Sequence, residues 1–386
     1  MTKVLKILLW FLTVMLTAVI GLECFCFLSP VRPISRPHLN RVLRMPEFTN
    51  TVRTNSLGMR EEAEIPDQKK SNEKRIFLIG DSFMFGFGVE RRDTLSVLLE
   101  KRLQNGSSPV SWRVINAAAA GTGPMHYAYC VRSIAIPLRA DIVIVGLFIG
   151  NDLENTVSPY LVFPYSLKNW LKFLFPNTTL WISGHKHHRA LTAPEQAKPM
   201  TPDPWNNEEL YRWGKWEGIS RAEMDRRRNA LSPQARGWIE QGMAPPVGFY
   251  HALTHPQILG DTATLGSPGM RWGLQRSEKL LAQMHRDCVR ANAKLILLLI
   301  PASYQVNDEQ WEFLRTVGFT INPADLVQTK PQEEFIAFCR KEGIPCLDLL
   351  PALKKAPERP LFYQRDEHWR PTTVRYVASV LCDFLS

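Results

Sequence analysis

From residue 76 onward the chain alternates between short runs that are apolar on both faces and longer stretches with apolar residues at helical spacing. Ile76–Ile79, Arg113–Ile115, Asp141–Phe148, Leu295–Ile300 and Ile344–Leu347 are the short runs, and each predicts a β-strand. Between them Thr94–Leu103, Met125–Ile136 and stretches near 274–292 and 332–342 predict helices. A closing helix over about 372–384 has Pro371 suited to its first turn. Strands without a polar face are covered on both sides, and strands alternating with helices pair in parallel. The expectation is an α/β fold, a flavodoxin-like three-layer sandwich around a central parallel five-stranded sheet. Ligands of such sheets bind beyond the carboxyl ends of the strands, near the switch in strand order.

Two stretches break this rhythm. Lys3 and Lys6 precede the uncharged run Ile7–Leu22, and apolar character resumes over Cys24–Leu28 after Glu23. A membrane span takes about 20 apolar residues, and the stretch reaches that length with Lys6 and Glu23 at the two interfaces. No small-x-small cleavage site follows, so residues 4–28 are expected to form an uncleaved transmembrane anchor. Arg32, Arg36, Arg41 and Arg44 after the run argue for a cytoplasmic body, and the basic residues before it argue for an exported one. The expectation taken here is an extracytoplasmic body, periplasmic or on the outer face. Residues 29–74, rich in Pro and charge, read as a tether and lead-in segment, and 75–385 as the main domain. Residues 153–272 read as a lid or substrate-binding insertion, heavy in Trp and Pro, with one fair helix near Arg221–Asn229.

Composition narrows the function classes. The 386 residues carry a net charge of +10, spread widely. The densest basic clusters, Arg226–Arg228 and Lys69 to Arg75, lack the interleaved aromatics or motif context of a nucleic-acid binder, so no nucleic-acid partner is expected. The seven cysteines include no Cys-x-x-Cys pair, and five of them are scattered through the body, which suggests neither a disulfide framework nor a zinc site. His185, His187 and His188 have no carboxylate or cysteine at ligand spacing and read as a basic loop. Gly80, Gly86 and Gly88 form neither GxGxxG nor a Walker sequence. No metal and no organic cofactor is expected. Trp205, Trp213, Trp216 and Trp238 are either the small core of a lid or stacking platforms for sugar rings.

Four distant segments carry chemistry, three of them just after predicted strands: Gly80-Asp81-Ser82, Gly121, Gly150-Asn151-Asp152 and, before the last helix, Asp366-Glu367-His368. Alone, each is an ordinary turn. Together they supply a nucleophile, a base and oxyanion donors. A serine hydroxyl needs a base to take its proton, and His368 is the best placed of the nine histidines. Asp366, two residues before it, turns back on a loop to hold the imidazole tautomer. Asn151 offers a side-chain amide to a developing oxyanion, and the small tract Ala117–Gly123 leaves the Gly121 N–H open.

In order and spacing these segments resemble the SGNH/GDSL hydrolase family, in its membrane-anchored bacterial form. The likeness rests on Gly-Asp-Ser at 80–82, Asn116 through Gly121, Gly150-Asn151-Asp152 and Asp366-x-His368, and covers about 75–385 apart from the insertion. Many members place the acid three residues before the histidine, where this chain has Arg365; Asp-x-His followed by Trp resembles the variant of some exopolysaccharide-modifying relatives. Asn55-Ser56-Leu57-Gly58-Met59-Arg60 resembles the segment that precedes the serine strand in anchored members. The resemblance implies Ser82 as nucleophile, His368 as general base, Asp366 as its orienting acid, and an oxyanion hole of Ser82 N–H, Gly121 N–H and the Asn151 amide. It implies an esterase acting on an acyl group, most simply acetyl, on a glycan or lipid. Two alternatives stand beside it: an O-acyltransferase acting on a surface polysaccharide, and a non-catalytic glycan-binding or assembly protein on the same scaffold.

Overall fold

The computed structural model describes residues 3–28, 34–105, 109–161, 199–200, 210–211, 214–215, 218–243 and 246–386. Lys3–Leu28 is a helix (α1) whose Leu9, Trp10, Phe11, Met15 and Leu16 are exposed. The side chains of Val4, Ile7, Leu8 and Leu12 lie outside the described set, and among the described residues no helix is long and apolar enough to cross a membrane. The lead-in segment holds more order than its composition suggests. Asn40–Arg44 (β1) and Thr49–Arg53 (β2) pair as an antiparallel hairpin, and Pro199–Met200 (β6) lies parallel to β1.

The main sheet consists of Glu73–Ile79 (β3), Ser111–Asn116 (β4), Ile142–Phe148 (β5), Lys294–Ile300 (β7) and Cys346–Asp348 (β8). Its order is β4-β3-β5-β7-β8 and every pairing is parallel. This is the flavodoxin-like winding, with the switch in direction between β3 and β5. Alternate residues of each strand feed opposite cores. Phe77, Ile79, Val143, Val145, Leu295, Leu297 and Leu299 pack on one face against Pro124–Cys130 (α4), Pro268–Arg290 (α10) and Lys330–Glu342 (α14). Ile76, Leu78, Ile144, Ile296, Leu298 and Ile300 pack on the other against Leu95–Gln104 (α3) and Pro371–Leu385 (α16). Burial on both faces is what makes these strands read as unbroken apolar runs.

Several expected elements shift. The helix expected over Met125–Ile136 ends at Cys130 and passes into a wider π-helical turn over Val131–Ala135. The last strand is Cys346–Asp348, where Ile344–Leu347 was expected, because Ile344 N–H still bonds Cys339 carbonyl at the end of α14. Within 153–272 the single expected helix is joined by others. Asp152–Leu161 (α5) opens the stretch, followed by Arg221–Ala230 (α6), Pro233–Glu240 (α7), Pro246–Thr254 (α8) and Ile258–Thr264 (α9). Ser220 and Ser232 cap α6 and α7 by accepting the Glu223 and Ala235 N–H groups. Ala235, Ile239, Phe249 and Ala252 then pack on Phe313, Leu314 and Val317 of Asp308–Val317 (α12), which follows the short Ser303–Val306 (α11). Trp238 stacks on Phe313 at 5.5 Å between centroids, a core role. His185, His187, His188, Trp205, Trp213 and Trp216 lie outside the described residues.

Candidate active site

Ser82 is the first residue of a four-residue helix, Ser82–Phe85 (α2), placed directly after β3. Asp81 caps it by accepting the Phe83 N–H at 2.9 Å. Being first in the helix, the Ser82 N–H has no intrahelical acceptor. The helix stops at Gly86, whose φ of +83° is cheap only for glycine. The turn is held from below by the lead-in segment. Buried Arg60 donates to the Phe85 carbonyl at 3.0 Å, to the Val89 carbonyl at 2.6 Å and to the Gly86 carbonyl. Asn116 Nδ2 donates to the Met84 and Phe85 carbonyls at 3.1 and 3.2 Å. Arg60 is in place because Asn55 Oδ1 accepts the Leu57 and Met59 N–H groups, folding 55–59 into a turn.

His368 meets this turn from the opposite end of the chain. Its Nε2 lies 2.7 Å from Ser82 Oγ, and its Nδ1 lies 2.6 Å from Asp366 Oδ1. With Nδ1–H donated to Asp366, Nε2 is left to accept the Ser82 proton. The ring sits between Phe83 and Phe87, at 4.9 and 4.8 Å between centroids. Burial alone would lower the His368 pKa. The charge and hydrogen bond of Asp366, with the charges of Asp81 and Glu367, outweigh it and raise the pKa above the ordinary value. The segment is a tight reversal: Tyr363 N–H bonds the His368 carbonyl, Glu367 N–H bonds the Tyr363 carbonyl, and Phe362 bridges Trp369. It is pinned by Glu47, which lies between β1 and β2 and accepts the N–H groups of Gln364, Arg365 and Asp366 at 2.9, 2.8 and 3.0 Å.

Asn151 lies at the turn between β5 and α5, lining the same cavity as Ser82 and His368. Its Oδ1 is buried with no partner among the described residues. The turn is set by Asp152, fully buried, which reaches back to accept the Phe148 N–H at 2.9 Å and Tyr127 Oη–H at 2.8 Å. Burial and the neighbouring charge of Asp81 raise the Asp152 pKa well above the carboxylate range. Gly121 is the expected site residue that stands apart. It is exposed, at φ +72°, with open space where a Cβ would stand, and it does not line the cavity. Its turn is nonetheless tied to the serine strand, since Ala119 N–H bonds the Gly80 carbonyl at 3.0 Å.

The cavity has a volume of about 220 Å³. The serine side brings Ser82, Phe83, Phe148 and Asn151; α5 and the insertion bring Glu154, His251, Ile258 and Leu259; the 302–304 segment brings Ser303 and Tyr304. Residues with no role assigned from sequence include Glu47, beneath the His368 loop, and Glu154, His251, Ser303 and Glu367 around the cavity. Among the described residues no cluster of His, Cys, Asp and Glu is arranged to hold a metal ion.

Residues 261–386 match the family described as "SGNH hydrolase-like domain, acetyltransferase AlgX". The C-terminal third of the chain is thus similar to an SGNH hydrolase-like domain. The matched residues include Asp366 and His368, while Ser82 and Asn151 lie ahead of them and line the same cavity. No curated protein matches the chain in sequence. Among solved structures, the chain is similar to TesA at 10% identity and TM-score 0.39, over 81% of this chain and 98% of that one. It is also similar to Axe2, an acetylxylan esterase from Geobacillus stearothermophilus, at 11% identity and TM-score 0.40, over 81% of this chain and 94% of that one.

Proposed function

We propose that the protein is a serine esterase that removes a short acyl group, acetyl in the simplest case, from a glycan. The observation that carries this reading is the continuous hydrogen-bonded line from Ser82 Oγ through His368 to Asp366. His368 Nε2 takes the Ser82 proton as Oγ attacks the acyl carbonyl carbon. The resulting oxyanion is held by the Ser82 N–H and the Asn151 amide. As the tetrahedral intermediate collapses, His368 gives the proton to the leaving alcohol oxygen and the acyl group stays on Ser82. Water, deprotonated by His368, then attacks the acyl-enzyme, and the carboxylic acid leaves as the serine proton returns. Asp366 keeps its negative charge throughout and stabilises the transient imidazolium.

A second reading replaces that water with a sugar hydroxyl, which makes the protein an O-acyltransferase. The description of the matching family as an acetyltransferase supports keeping it. We further propose that α1 anchors the body in a membrane and that the body is extracytoplasmic. Support comes from the exposed apolar side chains of α1 and from Lys3 and Lys6 beside them.

The test is labelling by a fluorophosphonate serine probe, run alongside nitrophenyl acetate turnover, in wild type and Ser82→Ala. Labelling and turnover that vanish in the variant support the catalytic reading. Equal labelling of both, or of neither, favours the non-catalytic alternative. Acetyl transfer to an added oligosaccharide in preference to water would replace hydrolysis by transfer.

A further inference from the structure

The cavity carries a second acid that the reaction above does not use. Glu367 sits between Asp366 and His368 in sequence, with its backbone at φ +67°. That left-handed conformation is strained for a non-glycine residue, and residues held so cluster where function needs them. Its carboxyl lines the cavity and accepts the hydroxyl of Ser303, which opens α11 just beyond β7. Neither group is needed to hold His368, which Asp366 orients, or the loop, which Glu47 and Tyr363 fix. Burial raises the Glu367 pKa to about 7, with the charge of Asp366 adding to it and Ser303 and His368 opposing.

On the wall supplied by the insertion, Glu154 Oε1 lies 3.5 Å from His251 Nδ1, and both line the same cavity. The leaving alcohol must lie against His368 Nε2 to receive its proton, within the cavity that Glu367 also lines. We propose that Glu367 and Ser303 form a recognition subsite for hydroxyl groups on the alcohol half of the ester, and that this half is a neutral polyhydroxylated ring. The proposal rests on the esterase reading and deepens it.

The chemistry of the walls selects among alcohols. A fatty alcohol would bury Glu367 and Glu154 against methylenes and leave them unpaired, which costs each group its desolvation. A phosphorylated or uronate-bearing alcohol would meet Asp366, Glu367 and Glu154 as like charges. A sugar ring offers hydroxyls that donate to the carboxyls and to the lone pairs left on Ser303 Oγ, whose own proton goes to Glu367. Retaining Glu at a position whose backbone suits glycine then makes sense as stability given up for recognition.

The experiment compares kcat/KM for a panel of mono-O-acetylated methyl hexosides with kcat/KM for nitrophenyl acetate, whose alcohol half has no hydroxyls to recognise. Wild type, Glu367→Gly and Ser303→Ala are measured, with acetylcholine as a cationic control. The ratio of hexoside to nitrophenyl activity should fall about tenfold or more in Glu367→Gly, the order expected for a lost hydrogen bond to a charged group. Ser303→Ala should lower the same ratio by less. Thermal melting of Glu367→Gly should not drop, since glycine relieves the φ +67° backbone. An unchanged ratio overturns the proposal, as does a parallel loss on both esters, which would make Glu367 a support for His368. Wild type preferring acetylcholine, or turning over nitrophenyl acetate but no hexoside, overturns it while leaving the esterase intact. Failure of wild type to react with either ester or with the serine probe removes the esterase reading itself.

Discussion

Glu47 accepts the backbone N–H of Asp366 at 3.0 Å, together with the N–H groups of the two residues before it. One carboxylate from the lead-in hairpin thus fixes the backbone of the loop that aims Asp366 at His368. Glu47→Ala leaves three adjacent donors without that acceptor, and each charged hydrogen bond of this kind contributes about 1.5–3 kcal/mol where water cannot replace it. The expected result is a kcat on nitrophenyl acetate lowered by about tenfold, because a displaced catalytic group costs positioning. Glu47→Gln, which keeps an acceptor oxygen, should recover part of it. Steady-state kinetics of both variants decide the matter: full activity in Glu47→Ala would mean that the loop holds itself.

Asp366 and His368 do not contribute equally. Removing the imidazole takes away both the base for Ser82 and the acid for the leaving group. Asp366→Asn keeps a side chain at Nδ1 but removes the charge that stabilises the imidazolium. We expect His368→Ala to lower kcat to the background of the oxyanion donors, and Asp366→Asn to lower it less. Equal losses, or the reverse order, in parallel kcat measurements would reassign the acid.

Asn151→Ala tests the other half of the site. Its amide lines the cavity, and its position is set by Asp152 rather than by substrate. Loss of one oxyanion donor lowers kcat by about 10²–10³ elsewhere, with little change in KM. The same size of effect is expected here. A kcat within twofold of wild type would take Asn151 out of the hole.

The pH profile follows from the direction of the His368 shift. The reaction needs neutral imidazole, and Asp366 raises the His368 pKa above its ordinary value of about 6.5. The rate kcat/KM should therefore rise with pH along a limb whose midpoint lies above that value. In Asp366→Asn burial is left to dominate, so the midpoint should move down. Stability runs the other way. Burial raises Asp81 to about 6 and Glu367 to about 7. The folded state then holds protons that the unfolded chain has released above about pH 4. Stability from these groups is full below their ordinary values and is lost as pH rises through their folded ones. Melting temperature should fall between about pH 4 and pH 7, and Asp81→Asn should flatten the slope. A melting temperature that climbs across that window contradicts the assignment.

What the sequence revealed follows from how far each signal reaches along the chain. The five strands were legible because burial on both faces leaves runs such as residues 142–148 wholly apolar. Ser82, His368 and Asp366 stood out because each sits in a short cluster of characteristic residues at a strand or helix end. Glu47 carried no such mark: its partners lie 317 to 319 residues away, and its neighbours in sequence look like any loop. The hairpin around it was hidden for a related reason, since β1 and β2 are only partly buried and read as polar. Helix α7 went unread because its apolar residues Ala235 and Ile239 make sense only against α12, a late segment. Glu367 was in plain view between Asp366 and His368. Its significance lies in a backbone angle, which composition does not encode.

The close approach of the serine turn to the sheet gives the last prediction. Met84, buried beneath Ser82 in α2, lies so near β5 that a Cβ on Gly146 would stand 2.3 Å from its Cγ and 2.5 Å from its Sδ. A Cβ on Gly80 would stand 2.4 Å from the same Cγ. Both glycines are therefore required by contact, so that α2 can sit at the switch between β3 and β5. Gly146→Ala forces Met84 aside, and overpacking of this kind costs about 1–3 kcal/mol. Because Met84 is two residues from Ser82, the strain should also tilt the nucleophile away from His368. Melting temperature and the rate of serine-probe labelling should both fall. Met84→Ala, destabilising alone through its cavity, should restore part of both losses when combined with Gly146→Ala, a non-additivity diagnostic of direct contact. Additive losses in the double variant would mean that the two residues do not press on each other, and that Gly146 is kept for some other reason.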